Sequence, residues 1–453
     1  MHDRMHDRMP DRDAGSFAGR MTKGPKPSVD GVTDAAPVSV SPTRHVHATD
    51  LRATAALASA ATAGLVDLVE AVHERIGRWP GAAAPVKKGR TRGITGLVYG
   101  SVRGITQVVG TGADTLLGWL QPVLLGHTAA LPTSEREAFI AALNGVLGDH
   151  LAATGNALAT PLALRSNCKP LALETAALVQ AFPVASRHVL VLIHGLCMND
   201  LQWSRKGHHH GIALAAALGC TQLDLHYNSG LHISDNGAAL AALLQQLHAA
   251  WPVPIERLTL LGHSMGGLVA RSAIAQAQQT AQTRAMPWVG ALQDLVCLGS
   301  PHHGAPLERA GRGLDLLLAA TGYSAPFARL GQLRSAGITD LRHGNVQRSD
   351  WEGHARFEAL GDGGDHRSPL PLPRGVRCLA LAGSLGADTS DLKHTLLGDG
   401  LVPVDSALGR HANADMALTF EPRHQWLGQG LSHLDLLSSA AAASWMVERL
   451  RAT

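Results

Sequence analysis

The segment Arg257-Leu-Thr-Leu-Leu-Gly-His-Ser-Met-Gly-Gly-Leu-Val-Ala-Arg271 leaves the chain little choice of fold. It begins as a short apolar strand and ends as a helix of small residues, with only a pinched turn between them. Gly262 and Gly266 stand two residues before and two after Ser264. That spacing suits a serine at the tip of a strained strand-to-helix turn, because a larger side chain at either glycine would strike the neighbouring strand or helix. Such a turn exposes Ser264 Oγ and aims the first N–H groups of the helix at a point where they suit an oxyanion. Glycine is common here, 49 of 453 residues, so the bare G-x-S-x-G spacing is weak by itself. The flanking strand and helix are what separate a nucleophile elbow from an ordinary glycine turn.

A nucleophilic serine needs a histidine base, a carboxylate to orient it, and a second oxyanion donor. On this kind of turn the chain order is serine, acid, histidine. Upstream, Arg187-His-Val-Leu-Val-Leu-Ile-His-Gly195 reads as a buried strand whose exit brings Leu196 back toward Ser264. The N–H groups of Leu196 and Met265 are therefore the expected oxyanion donors. Downstream, the strand Val376–Gly383 precedes Asp399, which sits between Gly398 and Gly400 and is the expected acid. Asp388, Asp391 and Asp405 compete without that glycine setting. The base should follow one more strand, read at Asp415–Phe420, which selects His433. His411 precedes that strand and His424 follows it too closely.

With these pieces in hand, the chain resembles the α/β-hydrolase superfamily, and within it the bacterial triacylglycerol lipases and inositol-deacylase-like esterases. The resemblance rests on the strand into His194-Gly195-Leu196, the elbow Gly262–Gly267, the turn Gly299-Ser-Pro-His-His-Gly304 and the acid turn Gly398–Pro403. It covers roughly residues 185 to 450 and none of the first 170. It implies an α/β fold with a mainly parallel sheet and helices on both faces. It also implies ester hydrolysis through a Ser264–His433–Asp399 triad and an acyl-enzyme, with no cofactor and no metal. The expected substrate is a small-molecule ester or lipid. The chain departs from secreted lipases in lacking an evident signal peptide and an obvious calcium-binding aspartate pair, so secretion and calcium dependence do not carry over. An acyltransferase using the same triad, and a non-catalytic binding protein on the same fold, are the rival readings.

The organisation expected from the sequence is a disordered tail over 1–48, a helical N-terminal domain over 49–165 and a hydrolase domain over 182–453. More than seventy residues after Pro301 lack a clear strand, which suggests a helical cap insertion at about 305–375, with Leu314, Leu316, Leu317, Leu318 and Phe327 as candidate pocket linings. The strands are expected at 188–193, 220–226, 257–262, 293–299, 376–382 and 415–420. Residues 91–126 are apolar and dotted with glycine, which permits close helix packing or peripheral contact with a membrane surface. Arg103 and Asp114 argue against spanning. A net charge of +3 without a basic run interleaved with aromatics gives no reason to expect nucleic acid. Five scattered cysteines read as buried thiols of a reducing compartment, and cytoplasmic residence is the default. Cys197, next to the oxyanion residue, is the one thiol worth following. His208-His209-His210 is a poor metal site, because consecutive side chains in a loop do not converge easily on one ion. Asn228 or Ser229, in a turn after a strand, could hydrogen-bond a substrate. Oligomeric state is not legible.

Overall fold

The computed structural model describes residues 134–281, 286–305, 335–354, 365–386 and 398–451. Its centre is an eight-stranded sheet built from β1 (Ala163–Ser166), β2 (Lys169–Pro170), β3 (His188–Ile193), β6 (Thr221–His226), β7 (Arg257–His263), β8 (Leu292–Leu298), β9 (Arg377–Ser384) and β10 (Gln425–Gln429). Across the sheet the order is β10-β9-β8-β7-β3-β6-β1-β2. Every pairing from β10 to β6 is parallel, and β1 and β2 add an antiparallel edge. A tight hairpin, β4 (Ser204–Arg205) and β5 (His208–His209), stands apart.

The central strands are apolar without interruption because both faces are covered. In β3, Val189, Val191 and Ile193 enter one core while Leu190 and Leu192 enter the other. β9 divides likewise, with Cys378, Ala380 and Ala382 on the first side and Leu379 and Leu381 on the second. The first layer holds α1 (Ser134–Ala153), α4 (Ile233–Ala250) and α5 (Met265–Ala281). The second holds α3 (His210–Leu218), which packs on α9 (Ala440–Arg451). At the opposite end from the elbow, the fully buried Asp294 accepts from Arg257 Nε at 2.8 Å and Arg377 Nε at 2.7 Å, tying β7, β8 and β9 together.

The chain leaves β3 on one side to form β6, then crosses back to place β7 on the other. The loops after β3 and β7 therefore diverge at a topological switch point, where open α/β sheets form crevices at the carboxyl ends of their strands.

Three expectations change. The segment read as the last strand, 415–420, buries Met416, Leu418 and Phe420 alternately, so its period of two is real. It joins no ladder; its link is Leu418 N–H to the Gly409 carbonyl. The last strand is β10, a half-buried edge strand whose sequence Gln-Trp-Leu-Gly-Gln carries a weak apolar signal. Second, the sequence places α1 in a separate helical domain over 49–165. Its Ala142, Leu143 and Val146 instead belong to the same core as Leu196, Leu225 and Tyr227, and β1 pairs with β6. Among the described residues the unit that carries the sheet thus begins at α1, ahead of residue 182. Third, residues 335–354, the helical part of the insertion that the structure describes, are packed down. α7 (Ala336–His343) is capped by Ser335, whose hydroxyl donates to Gly145 O at 2.6 Å, and Asp340 accepts from Ile233 N at 2.9 Å. The five candidate pocket linings, the 91–126 segment and the 1–48 tail lie outside the described residues. No described helix is long and apolar enough to cross a membrane.

Burial of imidazoles makes this fold sensitive to acid. Loss of hydration holds His194 at about 3 and His188, His210 and His303 at about 4. The unfolded chain binds protons at these rings from about pH 6.5 downward. Between that pH and the folded values the unfolded state carries more protons, so stability falls as pH falls, by about 1.4 kcal/mol per proton per pH unit. Asp224 opposes this, since burial lifts it to about 7 and its contribution weakens as pH rises toward that value. One carboxyl does not offset four rings. The midpoint of urea unfolding is expected to drop steadily from pH 7 to pH 5; a flat or rising midpoint would contradict this linkage.

Candidate active site

The loop after β7 carries Ser264 in the left-handed region, φ 54°, a conformation few non-glycine residues adopt. Two neighbours hold it there. Ser264 N–H donates to Leu298 O at 2.9 Å, and Gly267 N–H donates back to Ser264 O at 3.2 Å. A Cβ on Gly262 would lie 2.3 Å from Gly267 N, and one on Gly266 would lie 2.1 Å from Ile193 O. The helix therefore starts against β3 itself, and only bare backbone fits between them.

Asp399 and His433 come from the loops that follow β9 and β10. His433 Nδ1 lies 2.7 Å from Asp399 Oδ2, with both side chains at most 1 % exposed. The other carboxylate oxygen accepts from Leu401 N at 3.0 Å and Val402 N at 2.8 Å, while His433 N–H donates to Asp399 O at 3.0 Å. A carboxylate facing Nδ1 assigns the proton to that nitrogen, which leaves Nε2 as the acceptor. His433 Nε2 is sealed from solvent and has no hydrogen-bond partner among the described residues. The His433 ring lies beside the turn that carries Ser264. His263, which precedes Ser264, sets its ring 4.8 Å from that of His433 and its Nε2 3.3 Å from His433 O. Gly299, one residue after the acceptor of the Ser264 N–H, would put a Cβ 3.3 Å from the same ring.

Leu196 and Met265 are fully buried, and neither N–H donates to another described residue. The loop carrying Leu196 is pinned from β6. Tyr227 donates its hydroxyl to His194 O at 2.8 Å, and Cys197 N–H donates to Ser229 Oγ at 3.0 Å. His194 accepts from Tyr227 N at Nε2, so its Nδ1 proton faces Gly195 O at 2.9 Å. From the far side comes α1. Gly145 packs so closely that a Cβ there would meet Cys197 Sγ at 2.2 Å and its Cα at 2.8 Å.

Tyr227 and Gly145 were not singled out from the sequence. Tyr227 had a signal, for it directly follows β6, the strand beside β3. Gly145 had none, since α1 reaches the loop only through tertiary packing. Asn228 and Ser229, read as possible substrate contacts, are turned inward. Asn228 donates to Gly148 O at 2.8 Å, and Ser229 supports Cys197. Burial pushes the Cys197 thiol up to about 12, which leaves it protonated and unreactive at neutral pH.

The competing residues are placed elsewhere. Asp405 is exposed and pairs with Arg410 at 3.2 Å, His411 faces Asp365 at 3.7 Å, and His424 faces Glu421 at 3.9 Å; Asp388 and Asp391 lie outside the described residues. In the Pro-His-x-Gly turn, His302 is buried against Phe420 with Arg271 Nη1 3.3 Å from its Nδ1, a structural part. His210 Nε2 lies 2.7 Å from Leu436 O and its Nδ1 3.0 Å from His208 Nε2, so the three-histidine run anchors α3. No group of three metal-ligating side chains converges among the described residues.

Residues 235–357, which include the elbow, match the family model described as a PGAP1-like alpha/beta domain. Among solved structures, the mature lipase BlEst2 of Bacillus licheniformis is 18 % identical, covering 55 % of this chain and 85 % of its own, with a TM-score of 0.34. Lipase B of Aspergillus fumigatus is 12 % identical over 64 % of this chain and 56 % of its own, TM-score 0.34. Phospholipase PlaB of Legionella pneumophila is 15 % identical over 59 % of this chain and 60 % of its own, TM-score 0.37. The chain thus spans less than two thirds of the last two. Among curated proteins none matches the sequence.

Proposed function

With a lipase- and esterase-like α/β-hydrolase fold as the premise, we propose that the protein hydrolyses carboxylic esters through Ser264, His433 and Asp399. The observation that carries this reading is the sealed His433–Asp399 pair, whose ring packs against His263 and Gly299 next to the strained turn of Ser264. In this reading His433 Nε2 takes the Ser264 proton as Oγ attacks the ester carbonyl, and Asp399 stabilises the imidazolium that results. Leu196 and Met265 N–H groups receive the developing oxyanion, an interaction typically worth about 10²–10³ in rate per donor. His433 returns the proton to the leaving alcohol, and water then releases the acyl group by the same route. Nitrophenyl esters from acetyl to palmitoyl test the proposal, with turnover expected to depend on Ser264. Turnover rising toward long chains would fit an apolar, lipid-like substrate and would draw residues 91–126 in as membrane contacts. Absence of serine-dependent turnover on every ester would overturn it.

The same reading gives α1 a positioning role. Gly145→Ala would force Cys197, and with it Leu196, away from its seat on α1. Misplacement of an oxyanion donor by about 1 Å costs on the order of 10²-fold. That loss is expected in kcat, with KM little changed and the overpacking costing about 1–3 kcal/mol of stability. Wild-type kcat in a folded variant would show that α1 does not set the donor.

A further inference from the structure

A cavity of about 220 Å³ has walls that neighbour the proposed catalytic residues, with Met198 Sδ and Ser264 Cβ 3.3 Å and 3.1 Å from the position a Cβ would take on Gly195. Its apolar wall is Ala138 of α1 together with Met198, Leu201, Leu434 and Leu437. Met198 comes two residues after Leu196, and Leu434 directly follows His433, so the wall continues both the oxyanion loop and the base loop. Arg205 is the one charged residue lining this cavity among the described residues. It is presented by the β4–β5 hairpin, whose tip residues Lys206 (φ 49°) and Gly207 (φ 74°) form a tight turn matched to strand twist.

The Arg205 guanidinium has no counter-charge among the described residues. Its Nε is shut off from solvent without a hydrogen-bond partner. The nearby carboxylate is already engaged: Asp435 accepts from Lys206 Nζ at 2.6 Å and from Ser432 Oγ at 2.6 Å. Glu137, beside Ala138, pairs with Arg165 at 3.2 Å. A partly desolvated cation with an unmatched donor, set beside Gln202 and Ser204 in a cavity with one apolar wall, is unfavourable by itself and becomes favourable when a ligand brings the anion.

We propose that this cavity selects esters bearing an anionic group, a carboxylate or a phosphate, which Arg205 binds while the scissile carbonyl lies at Ser264. The proposal rests on the hydrolase reading above and names its substrate class. A guanidinium offers two parallel N–H donors, and either anion presents the oxygens to accept them.

The test compares 4-nitrophenyl butyrate with two analogues carrying the charge at the chain end, mono-4-nitrophenyl succinate and 4-nitrophenyl 3-phosphonopropanoate. The readout is the ratio of kcat/KM for each anionic ester to that for the neutral one. In the wild type at least one ratio should exceed one, and the arm that does so identifies the anion. Arg205→Gln should lower that ratio roughly tenfold to hundredfold, the range of a charge-assisted hydrogen bond. Arg205→Lys, which keeps the charge without the fork, should lose less and serves if the glutamine variant fails to fold. A ratio that does not exceed one for either anion, or does not move in either variant, overturns the proposal while neutral-ester turnover leaves the hydrolase reading standing. Calorimetric titration of ethyl hydrogen succinate and ethyl 3-phosphonopropanoate into Ser264→Ala protein, with and without Arg205→Gln, reads the contact without chemistry. Binding equally weak in both proteins overturns the proposal even if no ester is turned over.

Discussion

Ser264→Ala is expected to lower ester hydrolysis by roughly 10⁴- to 10⁶-fold, to the level left by the oxyanion donors and binding alone. The fold should be unaffected. Ser264 is 1 % exposed, but the bonds that hold the turn run through its backbone, N–H to Leu298 and carbonyl to Gly267, and alanine keeps both. Alanine carries the same Cβ at φ 54°, so the strain of the turn is retained. Circular dichroism and thermal midpoint should match the wild type within the effect of about 1 kcal/mol. Hydrolysis by the purified variant at more than a hundredth of the wild-type rate would remove the serine from the mechanism.

Asp399→Asn should cost about 10⁴ in kcat with little change in KM. The reason is visible in the three partners of the carboxyl group. Leu401 and Val402 both donate to Oδ1, so the amide oxygen of asparagine must take that place. Its NH₂ then faces His433 Nδ1 at the position of Oδ2. Two donors cannot face each other, so Nδ1 becomes the acceptor and the ring proton moves to Nε2, where it blocks abstraction from Ser264. The packing is unchanged, which keeps the loss in chemistry and out of binding. A kcat within tenfold of the wild type would assign the acid to another residue.

The parts of the site that the sequence disclosed are those specified within a few residues. Gly262 and Gly266 flank Ser264 because backbone from Gly267 and Ile193 occupies the space a Cβ would need, and that requirement is written in consecutive residues. Asp399 was legible for a similar reason: it stands in a tight turn between two glycines, with Gly398 at φ 52° and Gly400 at φ 95°. His433 was selected by its place after a last strand, although that strand was read at 415–420 and forms at Gln425–Gln429. The alternation of Met416, Leu418 and Phe420 records burial, and burial of every second side chain does not require a ladder partner.

By itself the sequence determined the strand–turn–helix at Ser264, the doubly covered sheet, and the order in which serine, acid and histidine occur. Each of these follows from local sterics or from the period of apolar residues along the chain. Only the tertiary structure decided what surrounds them. It brought Tyr227 and Ser229 under the loop of Leu196 through the pairing of β6 with β3, seated Gly145 of α1 against Cys197, and left Arg205 facing a cavity without a counter-ion among the described residues. Those contacts join segments tens to hundreds of residues apart. They arise from the packing of whole elements, and no spacing within one segment encodes them.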